Sequence, residues 1–267
     1  MSIAHRVMGF LFKTNARPVL QLPQPEQAKV PELRDAQIAA VYYGQRISGD
    51  FYDFLRVSPH RVVFGLLDAA GHLGDNREIL NAAQQTFRSL AAQLFADEDM
   101  NESEAMIELC IQLNRTILQT AGRVHSCPAF AGCYNENLGT ICYFNAGHTA
   151  GLLRDSTGIT ELPATTLPLG LFSHATSDAP MVALTPGAGL LLASRGILEG
   201  KRKGEDFGLE RVKGTLQRCE CHGAKDLCSE VLNDVQEFMR TAPTHDDVTA
   251  LALVRIPGPK PTLVGGN

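Results

Sequence analysis

The chain has no tryptophan, and aromatic residues make up 6% of its 267 positions. No stretch approaches the roughly 20 consecutive apolar residues needed to cross a bilayer, so no membrane span is expected. Positive charge is also short: 24 Lys and Arg face 29 Asp and Glu, leaving a formal net charge of −5. That balance argues against nucleic acid or an anionic membrane surface as a partner, since both select basic patches. Seven cysteines in a chain of this length do not make a disulfide framework. Cys110 lies on a helical apolar stripe, and Cys133 and Cys142 lie in strand-like runs. All three are expected as small core residues in a reducing cytoplasm. Cys219-Glu220-Cys221-His222 has no second ligand pair at zinc-finger spacing, so a metal there is not expected. The N-terminal MSIAHRVMGFLFK lacks the long apolar core and cleavage site of a signal peptide, and reads as a short docking helix.

What is present suffices for one sizeable core. Residues 1–35 read as an extension and a Pro- and Gln-rich linker, 36–256 as one domain, and 257–267 as a flexible tail. AQIAAVYYG, FYDFLRV and RVVFGLLD read as strands. In 76–96, Ile79, Leu80, Ala83, Phe87, Leu90 and Leu94 recur at helical spacing. In 103–121, Met106, Leu109, Cys110, Leu113 and Ile117 do the same, with Ser103 expected as N-cap. CPAFAGCYN and GTICYFNAG are joined by a hairpin-sized connection at 136–138. TAGLLRD, ITELP and GAGLLLAS follow as strands, then helices at about 206–219 and 224–241, then DVTALALVRI. Strands, two long helices, more strands, helices and a last strand lack the βαβ rhythm of a parallel sheet. The expected class is α+β: an antiparallel β-sandwich flanked by helices.

Carboxylates recur at the strand ends: Asp50 and Asp53 at the start of one, Asp68 at the end of the next, Asp246 and Asp247 before the last. A carboxylate beside a buried apolar run must be paired, hydrogen-bonded or metal-bound. Several converging would need cations, and hard divalent ions prefer oxygen ligands of this kind. Each strand-end aspartate alone is more often a turn former or helix cap than a ligand, and Asn145-Ala146-Gly147-His148 alone reads as a turn with a satisfied histidine. No Cys/His or Ser/His/Asp arrangement suggests a protein nucleophile.

Taken in order, SGDFYD (48–53), DAAGH (68–72), NAGH (145–148), SRGILE (194–199) and HDDVT (245–249) resemble the motifs of PPM/PP2C-type serine phosphatases of the SpoIIE/RsbU branch. The resemblance implies two helix-flanked antiparallel sheets, in α-β-β-α layers, with one or two Mg²⁺ or Mn²⁺ ions at one edge. It implies metal ligation by Asp50, Asp68, the Ala69 carbonyl and Asp246. Asp247, His72, Asn145 and His148 would lie behind these or face the substrate. The implied reaction is hydrolysis of phosphoserine or phosphothreonine on a regulatory protein of the anti-anti-sigma kind, in the cytoplasm. NAGH is expected as a tight turn supporting the cleft.

The pattern is broken at three places. The second glycine of DVSGHG falls one residue late, at Gly74. Asp75-Asn76-Arg77 then replaces small residues. The aspartate of the TDG motif, a metal ligand in the family, falls on Arg195. A guanidinium cannot ligate a cation. Arg195 is expected to turn toward the carboxylates, weakening or abolishing one ion site, rather than to swing out to solvent. The readings left open are a phosphatase of reduced activity, an inactive phosphatase-like binding protein, and an unrelated metal-dependent hydrolase.

Overall fold

The structure is a computed structural model that describes residues 28–43, 49–69, 71, 73–173, 177–220, 223–240 and 247–256. Period-two burial builds it. In β3 (Arg61–Ala69) the odd positions Val63, Leu67 and Ala69 pack with helices, while Phe64 and Leu66 pack against the other sheet. In β9 (Gly189–Ala193) and β12 (Val248–Arg255) the same split sends Leu191, Ala193, Ala250 and Ala252 outward. Leu190, Leu192, Leu251 and Leu253 turn inward. A strand covered on both faces reads as a continuous apolar run, and LLLA in β9 is one.

One sheet runs in the order β1 (Ala36–Tyr43), β12, β9, β6 (Gly151–Asp155), β7 (Gly158–Leu162). The other runs β2 (Gly49–Ser58), β3, β4 (Ala129–Asn135), β5 (Thr140–Ala146), β8 (Met181–Ala183). Pairing between the strands of both sheets is antiparallel. Helices α1 (Leu73–Leu94) and α2 (Glu102–Ala121) cover the second sheet. Helices α4 (Gly208–Arg218) and α5 (Ala224–Met239) cover the first. Between α3 (Arg195–Leu198) and α4 lies the small hairpin β10 (Lys201–Arg202) and β11 (Glu205–Asp206). The layers are therefore α-β-β-α, as the sequence implied. Each fully buried Leu or Phe between them is worth about 1.5–3 kcal/mol, so packing sets the architecture and the acidic edge perturbs it only locally.

Differences from expectation are local. The N-cap of α2 is Asn101, not Ser103: its Oδ1 accepts from the Ser103 and Glu104 amides at 3.0 and 3.3 Å. A serine sitting inside the first turn cannot satisfy its own turn's donors, and the residue two before it can. Helix α1 begins at Leu73, ahead of the apolar stripe. The short β8, β10, β11 and α3 carry too few residues for periodicity to register. Cys110, Cys133 and Cys142 are buried free thiols. Cys219 is disulfide-bonded, and Cys221 and His222 lie outside the described residues, as does the N-terminal segment read as a docking helix. No helix among the described residues is long and apolar enough to cross a membrane.

Candidate active site

Strand parity brings the motifs to one place. Asp50 stands opposite Asp68 across the β2–β3 ladder. Both share the inward parity of Phe54, Phe64 and Leu66, so both carboxylates point between the sheets at their open end. On the other sheet, Ser194 continues the inward face of Leu190 and Leu192, and Thr249 that of Leu251 and Leu253. Close approach of the strands is required here. A Cβ on Gly49 would lie 2.8 Å from the Ala69 Cβ and collide with the Ala69 carbonyl oxygen.

The electrostatics follow from the crowding. Burial pushes the Asp50 carboxyl up to about 8, and the charges of Asp68 and Asp247 push the same way. Hydroxyl bonds from Thr249 and Ser194 oppose them. Thr249 Oγ1 donates to Asp50 Oδ2 at 2.7 Å. Asp247 is buried, and its Oδ1 accepts from the Tyr42 hydroxyl at 2.6 Å. Arg195, at the exit of β9, brings Nε to 3.4 Å from Asp68 Oδ2 and 4.0 Å from Glu199 Oε1. Its side chain keeps 43% of its surface exposed. The Ala69 carbonyl accepts from the Asn76 side-chain amide at 3.1 Å. Thus two residues that break the motif resemblance, Asn76 and Arg195, contact atoms that the resemblance implies as metal ligands.

NAGH forms a turn. Asn145 Oδ1 accepts from the His148 amide at 2.8 Å, and Asn145 Nδ2 donates to the Thr149 and Leu162 carbonyls at 3.3 Å each. Gly147 has φ +67°, in the left-handed region, with Pro168 packed where a Cβ would stand. His148 Nδ1 meets the Thr149 hydroxyl at 3.1 Å and carbonyl at 3.2 Å. Burial lowers the imidazole to about 4, so it is neutral at pH 7. The Thr149 hydroxyl in turn bonds the Ala193 carbonyl, which ties this turn to the strand end that carries Arg195.

Asp50, Asp68, Ala69, Asp247 and Arg195 therefore meet at one edge, with Asn145 and His148 joined to it through Thr149. Asp246 and His72 lie outside the described residues. Among the described residues no group of three His, Cys, Asp or Glu side chains is arranged to hold a metal ion. Asp50 and Asp68 nonetheless fit one: they are hard oxygen donors whose mutual repulsion a dication offsets. Sequence reasoning missed Ser194, Thr249, Asn76 and Tyr42. Ser194 and Thr249 stood inside quoted motifs, and their parity was the signal.

Residues 58–256 match the family model for Stage II sporulation protein E (SpoIIE). The chain belongs to the SpoIIE family. The match starts after Asp50, whose place at the site rests on the ladder pairing with Asp68 and the bond from Thr249. Phosphoserine phosphatase RsbP of Bacillus subtilis is 26% identical to this SpoIIE-family chain over 194 residues, 70% of this chain and 47% of that protein. The chain spans less than half the length of the curated relatives it matches. Among solved structures, the SiaA-PP2C domain of Pseudomonas aeruginosa superposes with a TM-score of 0.65 at 18% identity. It covers 82% of this chain and 84% of that domain. The catalytic domain of the serine/threonine phosphatase PstP, solved with two manganese ions, gives 0.57 at 16% identity, over 83% of this chain and 99% of that one. These likenesses establish the PP2C fold.

Proposed function

We propose that this SpoIIE-family domain is a Mg²⁺- or Mn²⁺-dependent phosphoserine/phosphothreonine phosphatase whose altered metal site lowers its turnover. Its substrate would be a phosphorylated regulatory protein of the anti-anti-sigma kind. The reading is supported by the names of its relatives, a phosphoserine phosphatase and a manganese-loaded phosphatase domain among them. The observation that carries it is the facing pair Asp50 and Asp68 with Arg195 beside Asp68. Asp50, Asp68 and Asp246 would hold the ion. A bound dication supplies Lewis acidity that makes water nucleophilic near neutral pH and offsets phosphoryl charge. The chain's own part is to hold the carboxylates toward one point and to keep Asp247 tied to Tyr42. Arg195 compensates part of the acidic charge and competes with a second cation for Asp68.

Mn²⁺-dependent hydrolysis of p-nitrophenyl phosphate, abolished by chelator and by Asp68→Asn, is the expected result. Arg195 also favours a second reading, an inactive phosphatase-like regulatory binding protein. Absence of any metal-dependent turnover, with the fold intact, selects that reading and overturns the first.

A further inference from the structure

We infer that Thr249, supported by Ser194, is a positioning residue that fixes which face of the Asp50 carboxylate meets the cation; the inference rests on the proposed metal site. The terminal torsion of an aspartate is broad and roughly two-fold, so backbone placement alone leaves its oxygens free to exchange. At this edge one oxygen is held. Thr249 Oγ1 donates to Asp50 Oδ2 at 2.7 Å, and Thr249 is wholly buried. Oδ2 is thus engaged by a hydroxyl from the opposite sheet, on a carboxylate that stands opposite Asp68 across the ladder.

The Thr249 hydroxyl is itself held in place by a closed loop of bonds between two strand ends. The Ser194 amide donates to the Thr249 carbonyl at 2.9 Å, and the Thr249 amide donates back to Ser194 Oγ at 3.0 Å. Ser194 is also wholly buried. Its hydroxyl proton has two acceptors within reach, the Asp50 carboxylate and the Asp247 carbonyl, the latter at 3.4 Å. One proton serves one acceptor at a time. Ser194 therefore links Asp50 to the Asp247 backbone, whereas Thr249 holds Asp50 directly. The neighbouring carboxylates, Asp68 and Asp247, supply no donor for this purpose. Arg195, which carries the nearby positive charge, lies against Asp68. Hydrogen-bond partners behind a metal ligand typically contribute ten- to hundred-fold in metal affinity.

Calorimetric titration of the full chain with Mn²⁺ tests this, using Thr249→Val and Thr249→Ser beside the unsubstituted protein. Thr249→Val is expected to lose about ten-fold or more in Mn²⁺ affinity, with chelated-state melting little changed. Thr249→Ser, which keeps the hydroxyl, is expected to recover most of that affinity. Equal affinity in all three proteins overturns the positioning role and leaves the metal site standing. Equal loss in Thr249→Val and Thr249→Ser also overturns it, because a packing defect and not a missing hydroxyl would then be responsible. No Mn²⁺ binding by the unsubstituted protein overturns the proposed metal site and this inference with it.

Discussion

Asp50 and Asp53 lie three residues apart on the same strand, and their surroundings are opposite. Asp53 has outward parity and meets α1. Its Oδ2 accepts from Arg88 Nε at 2.7 Å and from Gln84 Nε2 at 3.2 Å, and its Oδ1 accepts from the Phe54 amide at 2.9 Å. It is an anchor: a buried carboxylate given a cation and donors by its own chain. Asp50 has inward parity and meets two further carboxylates, with hydroxyls rather than a guanidinium as its donors. Burial alone does not distinguish a structural acid from a functional one. The distinction lies in whether the fold supplies the counter-charge.

Removing the anchor should have the largest effect. Asp53→Ala takes from Arg88 and Gln84 their buried acceptor and is expected to destabilise the fold by about 3 kcal/mol, read by denaturant titration. An unchanged midpoint, together with a lost Mn²⁺ response, would reverse the roles assigned to Asp50 and Asp53.

Asp50→Asn should act in the other direction. The folded state holds the Asp50 proton up to about pH 8, whereas the unfolded chain releases it near pH 4. Between those limits the folded state binds more protons, so this group's contribution to stability is full at low pH and falls as pH rises toward 8. Asn does not ionise. In chelator, Asp50→Asn should therefore melt higher than the unsubstituted protein at pH 8.5, by about 5 °C, with the gap closing toward pH 4.5. A gap independent of pH would show that Asp50 carries no such penalty. The same proton must leave for a cation to bind, so Mn²⁺ affinity should rise with pH up to about 8 and then level off.

The smallest effect concerns the turn beneath the site. His148 stays neutral in the folded state down to about pH 4, while in the unfolded chain it protonates near 6.5. The unfolded state then binds more protons in that window, so stability is lost as pH falls from about 6.5 to 4. His148→Gln should flatten that part of the melting-temperature profile. An unchanged profile would show that the histidine is not buried neutral.

Much of this contrast was legible in the sequence, and the rest was not for definable reasons. The four-layer sandwich was readable because strands buried on both faces give apolar runs such as LLLA, and long helices give stripes such as Leu109-Leu113-Ile117. Asp50 and Asp68 were readable as strand-end acids because each borders such a run, but so does Asp53, and it was the motif resemblance that singled the two out. Which acid met an arginine was not, since Arg88 reaches Asp53 from 35 residues away through the packing of α1 on β2. Asn76 was noticed only as a departure from a pattern; that its amide meets the Ala69 carbonyl depends on where α1 begins. Thr249 and Ser194 were passed over because a hydroxyl within a motif of acids draws no attention until the two sheets are set edge to edge. Asp246 lies outside the described residues, so its part in the site remains a proposal.

In the proposed function this edge still takes a cation but has traded part of its ion-binding capacity for the fixed charge of Arg195, which lies 3.4 Å from Asp68. Calorimetry with Mn²⁺ on the unsubstituted protein and on Arg195→Asp, with p-nitrophenyl phosphate turnover measured on the same samples, tests it most directly. Weak or single-site binding and slow turnover are expected in the first, and a second ion with about ten-fold or greater turnover in the second. Tight binding of two ions and brisk hydrolysis by the unsubstituted protein, unchanged by Arg195→Asp, would contradict it.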